Sequence, residues 1–292
     1  MSYYRLFGLE REPFSTSPDP AFFYQSPQYR DTLANLIIEF RLKRGLTVIL
    51  GDVGIGKTTM SRKLMQLLRE RSSFAFHMIL DPTYPSEELL FAELTRTLAI
   101  ELPSAQPTVV DYRDAIERFL FRKAVEEHHT IVLIVDEAHK LNARSLEALR
   151  VLLNYETNEA KLLQVALFGQ MELLPLLMTL PNVVDRISLK CTLKPLDEEE
   201  TRELIEFRLA TAGYQSRIPL FTPEAIREIY DYTEGYPRRI AMVSHQALRQ
   251  LAMQQGRYVD QELVQELIHQ EIESGWAHPR KLRTLQPSNY SG

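Results

Sequence analysis

One eight-residue stretch constrains the fold more than any other part of the 292-residue sequence: Gly51-Asp52-Val53-Gly54-Ile55-Gly56-Lys57-Thr58, followed by Thr59. It follows a strand-sized apolar run, Leu46 to Leu50, and precedes a segment with helical spacing, Lys57 to Arg71. Glycines at these positions let a backbone turn wrap closely round an anion. The turn's N–H groups then point inward at a helix N-terminus whose dipole favours negative charge. In that arrangement Lys57 reaches the outer phosphates of a nucleotide and the Thr58 hydroxyl ligates Mg²⁺. Chance produces such a pattern in on the order of one chain per hundred of this length, before its strand and helix context is considered.

The surrounding pattern agrees with that reading. Strands are expected at 46–50, 74–80, 130–135, 162–168 and 187–193, and helices at 28–44, 57–71, 86–100, 111–127 and 143–155. Strands separated by helix-length segments imply a mainly parallel sheet covered on both faces, an α/β fold. The run Ile131 to Val135 has no in/out alternation, as in a central strand buried on both sides. After Lys194-Pro195-Leu196 only helices are expected, at 198–212, 223–233, 237–253 and 261–274, separated by turn signals at Gly213, Gly235 and Gly256. A boundary near 196 therefore divides a nucleotide-binding domain, residues 1–196, from an all-helical lid, residues 197–275, with a flexible tail over 276–292. The first 30 residues, rich in Phe, Tyr and Pro, read as an irregular but packed part of the first domain.

A second motif carries the catalytic expectation. The strand Ile131 to Val135 ends in Asp136-Glu137. Beside a phosphate loop, Asp136 would hold Mg²⁺ through water and Glu137 would orient and polarise the attacking water. Both motifs lie at carboxyl ends of strands, where parallel sheets place ligands. Gln170, at the end of the strand Leu163 to Phe168, could bond the γ-phosphate or the attacking water if its strand lies between the two motif strands; a turn or capping role fits it nearly as well. His139 reads as a neighbour of the site rather than a catalyst. It completes the letters Asp-Glu-Ala-His, but helicases named for that tetrapeptide carry two ATPase-like domains, and here there is one phosphate loop. Arg186 and Arg238 are, on sequence alone, ordinary solvated arginines.

The assembled motifs resemble those of an AAA+ ATPase, and in particular the ATPase domain of general secretion pathway protein A (ExeA-type). The resemblance runs along nearly the whole chain: Tyr4 to Gly8, Pro13-Phe14, Pro18-Asp19-Pro20, Phe22-Phe23-Tyr24, the phosphate loop, Asp136 to His139, Leu167 to Gln170 and Gly235 to Arg239. It implies a P-loop NTPase with a five-stranded parallel sheet and a small helical lid, nucleotide lying between them. It implies hydrolysis of ATP with Mg²⁺, Gln170 as sensor 1, Arg238 as sensor 2, and Arg186 as an arginine finger offered in trans within a homo-oligomer, a ring or filament. The N-terminal aromatic segment would shape the adenine pocket. Such secretion proteins continue into a membrane helix and a peptidoglycan-binding domain; the 292 residues stop soon after the lid, a layout shared with TnsC-like transposon target-selection ATPases.

Three functions follow as expectations: an ATP-driven assembly factor acting on a protein client, an ATP-dependent DNA-binding regulator of transposition, and a nucleotide-dependent scaffold with little turnover. A net charge of −5 argues against a chain coated for nucleic acid, although Arg41, Lys43 and Arg44 cluster, as do Arg280, Lys281 and Arg283. No apolar run approaches the ~20 residues of a membrane span, and the N-terminus lacks a basic head with an apolar run. With a single Cys191, a cytoplasmic protein without membrane insertion is expected.

Overall fold

The computed structural model describes residues 3–69, 73–102, 106–158 and 160–275. The expected helix end at Arg71, the loop residue Pro103, and the tail with Arg280, Lys281 and Arg283 lie outside them. The chain divides into two compact units, one of residues 18–194 and one of residues 1–17 with 195–292.

The first unit is a five-stranded sheet with strand order β2-β3-β4-β1-β5. Its strands are β1 (Leu46–Leu50), β2 (Phe74–Ile79), β3 (Thr130–Val135), β4 (Leu163–Gly169) and β5 (Ile187–Thr192). Every neighbouring pair is parallel. All residues of β1, β3 and β4 are buried, whereas β2 is mostly half-buried and β5 alternates. The near-continuous apolar runs in the sequence thus became the three central strands, as burial on both faces requires. One polar residue sits inside β4. Gln164 is buried, accepts the Gly45 N–H at 2.8 Å and donates to Lys161 O at 2.9 Å, so its amide is satisfied where it lies.

Helix α1 (Pro27–Arg41) leads into β1, and α2 (Lys57–Arg69), α3 (Glu87–Thr97), α4 (Val109–Phe121) and α5 (Ala143–Leu152) connect the strands. Local chemistry starts them. Ser26 caps α1 ahead of Pro27, Ser86 caps α3, Thr108 and Asp111 form a reciprocal capping box on α4, and Asn142 caps α5. Two short helices were not expected from sequence: α6 (Leu173–Met178) and α7 (Pro181–Val184). Pro175 interrupts the apolar pattern there, yet it stands in the first turn of α6, where no intrahelical N–H is required.

Because every strand runs the same way, the segments after β1, β3 and β4 emerge at one edge of the sheet. Since β4 lies between β3 and β1, Gln170 is flanked by the phosphate turn and the acidic pair, which meets the condition the sequence had set for it.

The second unit holds α8 (Glu198–Thr211), α9 (Pro223–Thr233), α10 (Pro237–Met253) and α11 (Gln261–Glu273). Asp197 and Glu200 form a capping box on α8, while Thr222 and Asp260 cap α9 and α11. Gly235 is a forced glycine. Its φ is +74° and a Cβ there would stand 1.8 Å from Leu196 O, whose own N–H donates to Gly235 O at 3.0 Å. The N-terminal residues belong with these helices: Tyr3 Oη lies 2.8 Å from His245 Nδ1 on α10, Glu10 N donates to Ala212 O, and Phe14 is buried edge-on against Phe221. Sequence alone groups this N-terminal segment with the sheet; Leu9 and Phe14 are instead buried in the helical unit, a pairing across some 200 residues that no local pattern encodes. Among the described residues no helix is long and apolar enough to cross a membrane.

Candidate nucleotide site

The turn between β1 and α2 has the backbone its glycines predict. Gly54 and Gly56 adopt φ of +82° and +101°, in the left-handed region that side chains resist. Gly51 is held for a different reason: a Cβ there would meet Ile55 Cγ2 at 2.9 Å and Leu193 Cβ at 3.3 Å. The Ile55 side chain is fully buried, and its carbonyl accepts the Tyr29 hydroxyl at 2.7 Å. Tyr29 in turn stacks on Phe23, with ring centroids 5.6 Å apart. Arg62 on α2 donates to Pro18 O at 3.1 Å. Residues 18–29 therefore brace the turn and the start of α2.

Lys57 is the first residue of α2 and is buried. Its Nζ donates to Gly51 O at 2.8 Å and to Asp52 O at 3.0 Å, so the ammonium is held across the turn. Burial pushes its pKa down, opposed by the charges of Glu137, Asp136, Asp52 and Glu172. Thr58 Oγ1 donates to Asp136 Oδ2 at 2.6 Å, so the turn and the tip of β3 are in direct contact. Asp136 is buried; that raises its pKa, and the bonds from Thr58 and the Glu137 N–H oppose the rise. A buried lysine and a buried carboxylate facing one edge are costly unless a charged ligand compensates them. Thr59 continues the first turn of α2, and the exposed Val53 and Asp52 form the rim of the loop.

Glu137 leaves β3 in a left-handed conformation, φ +51°. Its Oε2 lies 3.5 Å from both Gln170 Nε2 and His139 Nε2. The structure thus brings together the phosphate turn, Lys57, Thr58, Asp136, Glu137 and Gln170. Of the two arginines, Arg186 lies elsewhere in this unit and Arg238 belongs to the other one. Arg186 is exposed just ahead of β5, whose Ile187 pairs with Leu46 at the start of β1, so it occupies the sheet edge opposite the phosphate turn. Arg238 is exposed in the first turn of α10, in the helical unit. His139 is a neighbour of the site, as the tetrapeptide Asp136 to His139 implies.

The donor set suits a nucleotide-bound magnesium. A hydroxyl and a carboxylate supply hard oxygens on one side, and Mg²⁺ ordinarily completes its shell with water and substrate phosphates. Among the described residues no group of three or more His, Cys, Asp or Glu could hold a metal ion without such a substrate.

Residues 41–177 match the family described as AAA domain. General secretion pathway protein A of Aeromonas hydrophila is 36% identical over 249 residues, which is 84% of this chain and 44% of that protein. The Aeropyrum pernix ORC2 protein, in ADPNP and ADP complexes, superposes with a TM-score of 0.64 at 18% identity, covering 89% of this chain and 71% of that one. The chain carries an AAA domain at residues 41–177 and has the AAA+ P-loop NTPase fold.

This AAA+ chain also resembles an uncharacterised HTH-type transcriptional regulator of Methanocaldococcus jannaschii, 25% identical over 256 residues, covering 76% of the chain and 62% of the regulator. Among solved folds, the Thermotoga maritima RuvB Holliday junction branch migration motor has a TM-score of 0.58 at 15% identity, over 85% of this chain and 72% of that one. The AAA+ chain spans less than two thirds of either curated relative.

Proposed function

We propose that the chain is a Mg²⁺-dependent ATPase that assembles into a homo-oligomer and acts on a protein partner, in the manner of an ExeA-type assembly factor. The observation that carries the reading is the 2.6 Å contact between Thr58 and Asp136, which sets Lys57 and Glu137 on the same small region of the sheet edge. Lys57 and the N–H groups of residues 51–59 would bind the β- and γ-phosphates. Magnesium supplies charge neutralisation at the phosphoryl oxygens, and Thr58 and Asp136 are the residues that would hold it. Glu137 would orient a water toward the terminal phosphate and accept its proton, with Gln170 bonding the phosphate or that water. Arg238 would contact the nucleotide from the lid, and Arg186 would complete a neighbouring subunit's site. The cytoplasm is the compartment such an ATP-driven factor would occupy.

The 36% identity to general secretion pathway protein A supports the protein-directed reading. A second reading, an ATP-dependent DNA-binding regulator, is supported by the similarity to the HTH-type regulator. Steady-state ATP turnover with and without Mg²⁺, alongside nucleotide binding, tests the first claim. Binding without turnover would leave a nucleotide-dependent scaffold. DNA retention with ATP, ADP or no nucleotide, at two salt concentrations, separates the readings, since contacts to DNA phosphates weaken steeply with salt.

A further inference from the structure

His139 belongs to a network that the phosphate loop and acidic pair do not explain. It sits on a 3-10 turn, Ala138–Lys140, laid across the end of β4, and its side chain is only 16% exposed. Gly169 permits that placement. A Cβ at Gly169 would stand 3.3 Å from His139 N and 2.8 Å from Leu173 Cδ2. The Gln170 backbone N–H donates to His139 Nδ1 at 3.4 Å, while His139 Nε2 faces Gln170 Nε2 at 3.1 Å and Glu137 Oε2 at 3.5 Å.

The tautomer follows from which of these groups can be reassigned. A backbone N–H is always a donor, so Nδ1 must be the acceptor and the ring proton must sit on Nε2. The side-chain amide of Gln170 can be turned over, so that its Oε1 accepts from His139 Nε2–H in exchange for the long 3.5 Å donation from Gln170 Nε2 to Glu137. One N–H therefore points into the space shared by the Glu137 carboxylate and the Gln170 amide.

We propose that His139 is a positioning residue for hydrolysis: its Nε2–H holds the Glu137 carboxylate and ties its orientation to Gln170. The inference rests on the hydrolytic reading above. When Gln170 turns to a phosphate or a water, the imidazole remains anchored by the Gln170 backbone and its proton is left to Glu137 alone. Arrival of substrate at Gln170 would then fix the carboxylate that orients the water. His139 itself touches no substrate in this scheme.

Three substitutions separate positioning from packing. In His139→Gln the amide nitrogen reaches the place of Nε2 and can still donate to Glu137. In His139→Asn the side chain reaches only the place of Nδ1, and in His139→Ala neither role survives. The expected result is a fall in kcat of about 10- to 100-fold for Ala and Asn, the usual cost of losing an orienting partner, with ATP affinity by fluorescent-nucleotide titration unchanged. Gln should recover most of the rate. Equal losses in Gln and Asn, or full turnover in Ala, would overturn the proposal, as would a loss of ATP affinity matching the loss of kcat. A readout independent of turnover is long-range ¹H–¹⁵N correlation of the imidazole in the nucleotide-free wild-type protein. It should show the proton on Nε2 of His139, and a proton on Nδ1 would overturn the inference. If wild-type protein shows no turnover while His139 has the expected tautomer, the hydrolytic reading fails and the network geometry stands. If wild type is active, Glu137→Gln is dead and His139→Ala is unimpaired, only the positioning role fails.

Discussion

Arg186 offers the sharpest test of assembly, because its own phosphate turn is out of reach. It precedes Ile187, which pairs with Leu46, whereas the turn begins after Leu50. Five strand residues at about 3.3 Å each put roughly 17 Å between those two edges of the sheet, more than any side chain spans. On its own edge it lies near enough to Glu156 to help lower that carboxyl's pKa, behind the larger effect of Lys161. If Arg186 serves a neighbour's γ-phosphate, its loss removes about 10³ to 10⁵ in rate, or about 4–7 kcal/mol of transition-state stabilisation. An exposed ion pair is worth about 1 kcal/mol or less, so a tenfold effect on turnover could not be mistaken for the loss of such a contact. Arg186→Ala should bind ATP normally and hydrolyse almost none. Lys57→Ala should bind none, yet its Arg186 is intact. In a head-to-tail assembly mixed randomly at equal concentration, about a quarter of interfaces join an intact turn to an intact arginine, so mixing two silent proteins should restore about a quarter of wild-type turnover. A coupled ATPase assay run above the assembly concentration measures this. A mixture that stays silent, or an Arg186→Ala protein whose ATP affinity falls as far as its rate, would refute the trans assignment.

Other outcomes follow from single contacts. Glu137→Gln should keep ATP binding and lose turnover, measured by nucleotide titration and phosphate release. Gly235→Ala should destabilise the helical unit by about 3 kcal/mol or more, since a methyl group 1.8 Å from Leu196 O adds overlap to a left-handed backbone; urea unfolding checks it. His77 Nδ1–H donates to Thr97 O, 3.0 Å away, and burial lowers the histidine's pKa against that bond. The unfolded chain then binds the extra proton more readily, so this contribution to stability is complete above the ordinary histidine pKa and is lost as pH falls toward the depressed one. His77→Asn, which can keep the bond to Thr97 and cannot ionise, should flatten the acid side of the melting-temperature profile; an unchanged slope would show that His77 does not drive it.

Much of this was legible in the residue order because the physics involved is local. The glycines of residues 51–56, the apolar runs of β1, β3 and β4, and the caps at Ser26, Ser86, Thr108, Asn142 and Asp197 each act within a few residues, so composition and spacing fix them. The parallel sheet follows from strands alternating with helices. Tertiary structure alone decided three things. It gave the N-terminal segment to the helical unit, where Phe14 meets Phe221 some 200 residues along the chain. It made Tyr29 the support of Ile55 O, and it placed His139 against both Glu137 and Gln170. Each is a contact between side chains or backbone groups whose separation depends on how strands order themselves in a sheet or helices pack on one another. That ordering is settled by burial summed over a whole unit, and no short window of sequence contains the sum.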